Sequence, residues 1–196
     1  MASFSIHLAI GKRYYEKTNN INNEQEFYKG IIAPDLVEEK KISHYTGEMK
    51  DNSLIESLSK KVILIEFLKH EKIDTDYQKG VFLHLITDYL FFNTFFEKSY
   101  INKISYSLFS DNLYYSYNLT NEYIDNKYQI NYYDFYNTIK INIEKKHKKN
   151  ISNSTKQHIL PIDKLDKFIE YVSSIDLEKY KEKILKYNEN VLPWLL

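Results

Sequence analysis

The chain contains no cysteine. That excludes disulfides, thiolate zinc sites, iron–sulfur clusters and cysteine nucleophiles, so any metal must rest on histidine and carboxylate. Glycine and proline are scarce, four and three in 196 residues. Long stretches without either exclude turn-dense all-β architectures and predict an all-α fold. Neither charge is in excess, with 27 basic residues against 27 acidic ones, so no field of one sign advertises nucleic acid or an anionic membrane as partner. No apolar run is long enough to span a bilayer: the longest, residues 81–96, is interrupted by His84, Thr87, Asp88, Asn93 and Thr94, short of the ~20 mostly apolar residues required. The amino-terminal MASFSIHLAIGKRYY carries its basic residues after the apolar stretch, which is not the order of a secretory signal, and the expectation is a cytoplasmic protein without a transmembrane segment.

What is present suffices for one core. A hydrophobic content of 43% over 196 residues suits a single helical domain spanning residues 1–196. The 19 tyrosines are read as compositional bias. Periodicity and caps place a helix over about 4–17, and Asn23 with Glu26 resembles a capping box for a short helix ending near Gly30. IIAPDL follows as an expected loop. Ser53 with Glu56 opens another helix, to about His70. The apolar stretch 81–96 reads as a buried central helix, with Asp74 and Asp76 before it as capping or first-turn acids and Glu97 and Lys98 closing it. Further helices are predicted near 109–126, 131–149, 161–174 and 176–190, and KKNISNSTKQ around 148–157 as a mobile loop.

Histidine and carboxylate are then the residues to sort. Of six histidines, His147 stands in the basic run 145–149 near an expected helix end, where positive charge suits the helix dipole, and His70 also ends a helix. His158 has no partner in sequence. His84 and Asp88 are different, because four residues apart in the most apolar helix they share one face. Burying an imidazole and a carboxylate there costs several kcal/mol unless they are paired, hydrogen-bonded or metal-bound. A hydrogen bond stitching the core explains that pair as well as a site does. His7, within Ile6-His7-Leu8-Ala9-Ile10, is by itself more often a core histidine than a ligand; Asp35 after Pro34 reads first as a helix cap or turn acid; for His44 in KISHY a surface residue explains the position equally well. Taken together, His7, Asp35, His44, His84 and Asp88 supply the ligand mix that zinc, iron or manganese accept in hydrolytic sites.

The order of these residues resembles the zinc-dependent phospholipase C and P1-nuclease superfamily of all-helical phosphoesterases, especially its small bacterial members of unassigned substrate. The resemblance covers about residues 4–96 and rests on SIHLAIG with His7, GIIAPDL with Asp35, KISHY with His44, and GVFLHLITDYLF with His84 and Asp88. It implies a phospholipase C/P1 nuclease-like bundle in which Asp35, His44, His84 and Asp88 gather round one metal. His7 and Asp88 would face a second, with Asp88 bridging. It also implies Asp35 as candidate general base for an attacking water. A divalent cation lowers the pKa of bound water toward ~7, and a pair can clamp the attacking and leaving oxygens.

The chain departs from the trinuclear members in three ways. Met1 to Ile6 precede His7, so their free amino-terminal ligand is expected to be missing. Four beyond His147 is Ile151 and four beyond His158 is Ile162, so their later His-x-x-x-Glu pair has no counterpart. Leu36 stands where choline-reading members carry an aromatic, which removes support for a phosphatidylcholine substrate. The HD phosphohydrolases need an adjacent His-Asp doublet, and none occurs.

The function expected is therefore a metal-dependent phosphoester hydrolase with a mono- or dinuclear, zinc-type centre; iron or manganese also suit the ligands. Its partner would be a phosphoester substrate. Tyr14, Tyr45, Tyr89 and Phe92 are pocket-wall candidates for which core packing is the commoner explanation. The alternative is a non-catalytic helical interaction module in which the same five residues form a structural metal knot or a polar network. Lys145, Lys146, Lys148 and Lys149 give only a weak nucleic-acid signal against the neutral overall charge.

Overall fold

Five helices start at a side chain whose oxygen accepts an otherwise orphaned backbone N–H: Ser3 from Ile6, Asn23 from Glu26, Thr75 from Gln78, Ser105 from Leu108 and Asp176 from Lys179. A computed structural model describes residues 1–46, 62–101, 103–130 and 156–192, and its regular structure is all helical. The elements are α1 (Phe4–Lys17), α2 (Glu24–Leu36), α3 (Lys40–Ser43), α4 (Leu64–His70) and α5 (Asp76–Leu90), which runs into a π-helical turn (Phe91–Phe95). After it come α6 (Lys98–Ile101), α7 (Tyr106–Lys127), α8 (Ile162–Val172) and α9 (Leu177–Tyr187). The all-α single-domain expectation holds. Among the described residues, no helix is long and apolar enough to cross a membrane.

Boundaries differ from the sequence expectation at three helices. The helix expected from Ser53 to about His70 is not continuous, because Ile63 is extended and α4 begins at Leu64. Helix α2 does not stop near Gly30; it continues through IIAPDL to Leu36, so Asp35 sits on a helical turn instead of a loop. Proline removes only one donor, and so near a helix end it disturbs little of the backbone ladder. The carbonyl of Pro34 also accepts a hydrogen bond from Ser43 Oγ at 2.8 Å. Helix α5 starts earlier than residue 81, because Thr75 and Gln78 form a complete capping box and Asp76 occupies the first turn. The Asn23–Glu26 box is only half made. Asn23 takes the Glu26 N–H at 3.1 Å, but its own N–H, with that of Asn22, goes to Asp76 Oδ2 at 2.7 and 2.9 Å. The Ser53–Glu56 box, the 131–149 helix with its lysine run, and most of the 148–157 loop lie outside the described residues.

The core is one cluster, with Phe27, Phe67, Phe82, Phe91 and Phe109 fully enclosed. Helices α2 and α5 pack closest, touching backbone to backbone at two glycines. A Cβ on Gly30 would lie 2.0 Å from the Tyr77 carbonyl oxygen, and one on Gly80 2.2 Å from that of Phe27. No side chain can be accommodated without parting the helices. At the far end of α5, beside the π turn, side chains reach back one turn to backbone carbonyls: Asn93 Nδ2 donates to Tyr89 O and Thr94 Oγ1 to Leu90 O, both at 2.7 Å. Across the bundle, Arg13 and Lys17 of α1 both pair with Glu170 of α8.

Gly80→Ala should therefore destabilise the chain by about 3 kcal/mol or more through overpacking. Gly11→Ala, whose added carbon would meet the flexible end of Ile31 at 2.9 Å, should change stability by less than about 1 kcal/mol. Urea denaturation followed by circular dichroism checks both. Equal stabilities for the two variants would contradict the backbone contact.

Candidate metal centre

Four elements deliver the expected ligands to one place. α1 contributes His7, the last turn of α2 Asp35, the C-cap of α3 His44, and α5 the pair His84 and Asp88. All five are at most 4% exposed. His44 is thus buried and not the surface residue that its sequence context equally allowed. The structure brings together every residue singled out for the site. His70 and His158 are exposed and remote from this role, and His147 lies outside the described residues.

Hydrogen bonds fix which nitrogens are free. His84 Nδ1 lies 2.7 Å from the Ile31 carbonyl oxygen, which only accepts, so Nδ1 carries the proton. Ser43 Oγ gives its proton to Pro34 O at 2.8 Å and therefore accepts from His44 Nδ1 at 2.9 Å; the Lys40 carbonyl is also within 3.2 Å of that nitrogen. In their neutral forms both imidazoles then present a bare Nε2 lone pair. These two Nε2 atoms are 3.1 Å apart. Asp88 Oδ2 is 3.4 Å from His44 Nε2 and 3.6 Å from His84 Nε2, and has no hydrogen-bond partner. Asp35 Oδ1 follows at 3.8 Å from His44 Nε2.

Electron-rich atoms in this proximity repel unless a cation lies among them. Ligands at about 2.0–2.1 Å around a tetrahedral zinc stand about 3.3–3.4 Å from one another. The observed separations bracket that spacing. His44, His84 and Asp88 form one group able to hold an ion, and His7, Asp35 and His84 a second that overlaps it. His7 stacks on His84, ring centroids 3.8 Å apart and planes 8° from parallel. Its Nε2 is 3.4 Å from Asp88 Oδ1, and neither ring nitrogen has a hydrogen-bond partner. Asp88 thus turns one oxygen toward each side, as a bridging carboxylate does. Oδ1 also accepts the Ala2 N–H at 2.6 Å, so the backbone ahead of α1 reaches the centre.

Charge states follow from the surroundings. Burial holds the His84 imidazolium down to about 3, with the His7 ring adding to the effect, so this ligand is neutral at ordinary pH. Burial pushes the Asp35 carboxyl up, but His84, Lys40 and His7 outweigh it and bring the group down to about 2. For Asp88 too, burial raises the carboxyl, and the Met1 amino group with His44 and His7 more than offsets it. Ionised Asp35 and Asp88 suit metal ligation.

Sequence reasoning missed Lys40, whose ammonium sits on Asp35 Oδ1, and Ser43, which sets the His44 tautomer. Lys40 stands in the run Glu38-Glu39-Lys40-Lys41, which reads as a solvated surface, and gives no signal. Ser43 beside His44 was the only hint available. The aromatic wall is not there: Tyr14, Tyr89 and Phe92 belong to the core cluster, and half-buried Tyr45 packs edge-on against Phe67. Comparison with protein-family models, with curated proteins and with solved structures finds no match for this chain.

Because His84 binds a proton less readily folded than unfolded, the unfolded chain holds more protons between about pH 6.5 and 3. Stability should be fully present above that window and fall as pH drops through it, by up to about 1.4 kcal/mol per pH unit for one proton. Urea titrations in chelator at pH 7.5, 5.5 and 4.5 check this. His84→Gln should flatten the profile, and an unchanged slope in that variant would contradict the assignment.

Proposed function

We propose that the chain is a metal-dependent phosphoester hydrolase. The observation that carries this reading is the pair of imidazole Nε2 atoms 3.1 Å apart with the unpartnered Asp88 oxygen beside them, in residues almost wholly shielded from solvent. The ordered His/Asp pattern that resembles the zinc-dependent phospholipase C and P1-nuclease superfamily supports the same reading.

In this reading His44, His84 and Asp88 hold a divalent ion of the zinc type, with iron or manganese also acceptable to these ligands. His7 and Asp88 Oδ1 face a second position. The ion supplies Lewis-acid chemistry, acidifying a water toward a pKa of ~7 and polarising a phosphoryl oxygen. The protein's part is orientation. Ile31 O and Ser43 Oγ accept from the Nδ1 of His84 and His44 and so lock the two imidazoles with Nε2 inward, as carbonyl and hydroxyl acceptors do behind metal-binding histidines. Asp35 Oδ1, 3.8 Å from His44 Nε2 against 3.4 Å for Asp88 Oδ2, is the outermost donor to the same ion, and a water would complete the coordination beside it.

A second reading has its own observation. All five ligands are buried, as in a structural metal knot that holds helices together without turnover. Metal content and turnover separate the two. Purified protein loaded with zinc or manganese should retain one to two equivalents and hydrolyse bis(p-nitrophenyl) phosphate. Chelation should abolish hydrolysis, metal should restore it, and His84→Ala should lose both ion and activity by at least about a hundredfold. Bound metal without hydrolysis of a phosphoester panel would favour the structural knot. Retention of metal and activity by His84→Ala would overturn both readings.

A further inference from the structure

Two ionised carboxylates inside one buried cluster raise a problem for the chain before any metal arrives. Their mutual repulsion and lost hydration oppose folding unless a positive charge compensates. The Met1 amino group acts on Asp88, and among the described side chains Lys40 is the cation seated on Asp35. Its Nζ contacts Asp35 Oδ1 and donates to the Asp35 carbonyl oxygen at 2.8 Å. Oδ1 is also the oxygen that faces His44 Nε2. The Lys40 carbonyl in turn lies within reach of His44 Nδ1, so one residue bears on two of the ligands.

We propose that Lys40 is a resident counter-cation that occupies Asp35 while the centre is empty and competes with metal for the same carboxylate oxygen. This rests on the metal-site reading above and adds to it a control on loading. The asymmetry of burial gives the exchange its direction. The Asp35 side chain is 3% exposed and fixed within α2, whereas that of Lys40 is 31% exposed on the short helix α3. The ammonium can therefore swing to solvent and the carboxylate cannot. Lys40 stabilises the empty centre and opposes the loaded one, where its charge stands close to a divalent ion. Removing it should weaken the empty protein and tighten the metal complex together, a pairing that linkage demands of two cations sharing one partner.

The test compares wild type with Lys40→Met, Lys40→Gln and Lys40→Arg. Each is stripped with chelator, then titrated with zinc ion by calorimetry and melted with and without the ion. In Lys40→Met and Lys40→Gln the stripped protein should melt several degrees lower, and zinc should bind at least about tenfold more tightly. Lys40→Arg, which keeps the charge, should stay within about threefold of wild type. Lys40→Gln keeps an N–H for the Asp35 carbonyl oxygen and so serves if Lys40→Met does not fold. Zinc affinity that is unchanged or weaker in the uncharged variants overturns the proposal while leaving the metal centre intact. A wild-type chain that takes up no metal overturns the hydrolase reading and this exchange with it.

Discussion

The close crossing of α2 and α5 is the constraint on which the centre depends. Gly30 and Gly80 let the two backbones touch, and that contact fixes the register of everything beyond it. At about 1.5 Å per residue, Asp35 lies some 7.5 Å along α2 from its glycine, and His84 about 6 Å along α5 from its own. Asp88 stands one turn further on the same face. The bond from His84 Nδ1 to the Ile31 carbonyl belongs to this crossing as well. The same helix pair thus sets both where the imidazole is and which of its nitrogens is free.

Around that crossing the remaining elements act as clamps. α1 brings His7 flat against His84, and α3 is pinned to the end of α2 by Ser43, which carries His44 inward. The consequence is a buried cluster in which imidazole nitrogens and carboxylate oxygens face one another. Such an arrangement persists only if positive charge offsets it, from a metal ion, from the Met1 amino group acting on Asp88, or from the Lys40 ammonium on Asp35. Burial, which looks hostile to ionisable groups, is what keeps His84 neutral and available as a ligand.

Much of this was legible in the sequence because it follows from periodicity. The helical class, α1 with its bounds, the apolar character of α5 and the shared face of His84 and Asp88 all rest on spacing alone. The order of the five residues pointed to one cluster, and they do converge, including His44, whose own neighbours left a solvated position equally open. What escaped was tertiary. Proline before Asp35 suggested a loop, because its effect depends on whether the helix has a later turn to lose, and α2 does not. Asp76 displaced Glu26 as the partner of the Asn23 amide from a different helix, which no local pattern encodes. Lys40 lay hidden in a charged run, since a contact with a buried carboxylate five residues earlier becomes visible only when α3 folds back over α2.

The central claim is that a cation belongs between His44 Nε2, His84 Nε2 and Asp88 Oδ2. Anomalous diffraction at the zinc edge from crystals of the zinc-loaded chain tests it most directly. The account predicts a peak about 2.0–2.2 Å from each of those three atoms. A pocket without a peak, with the imidazoles joined by a proton shared between their Nε2 atoms, would contradict it.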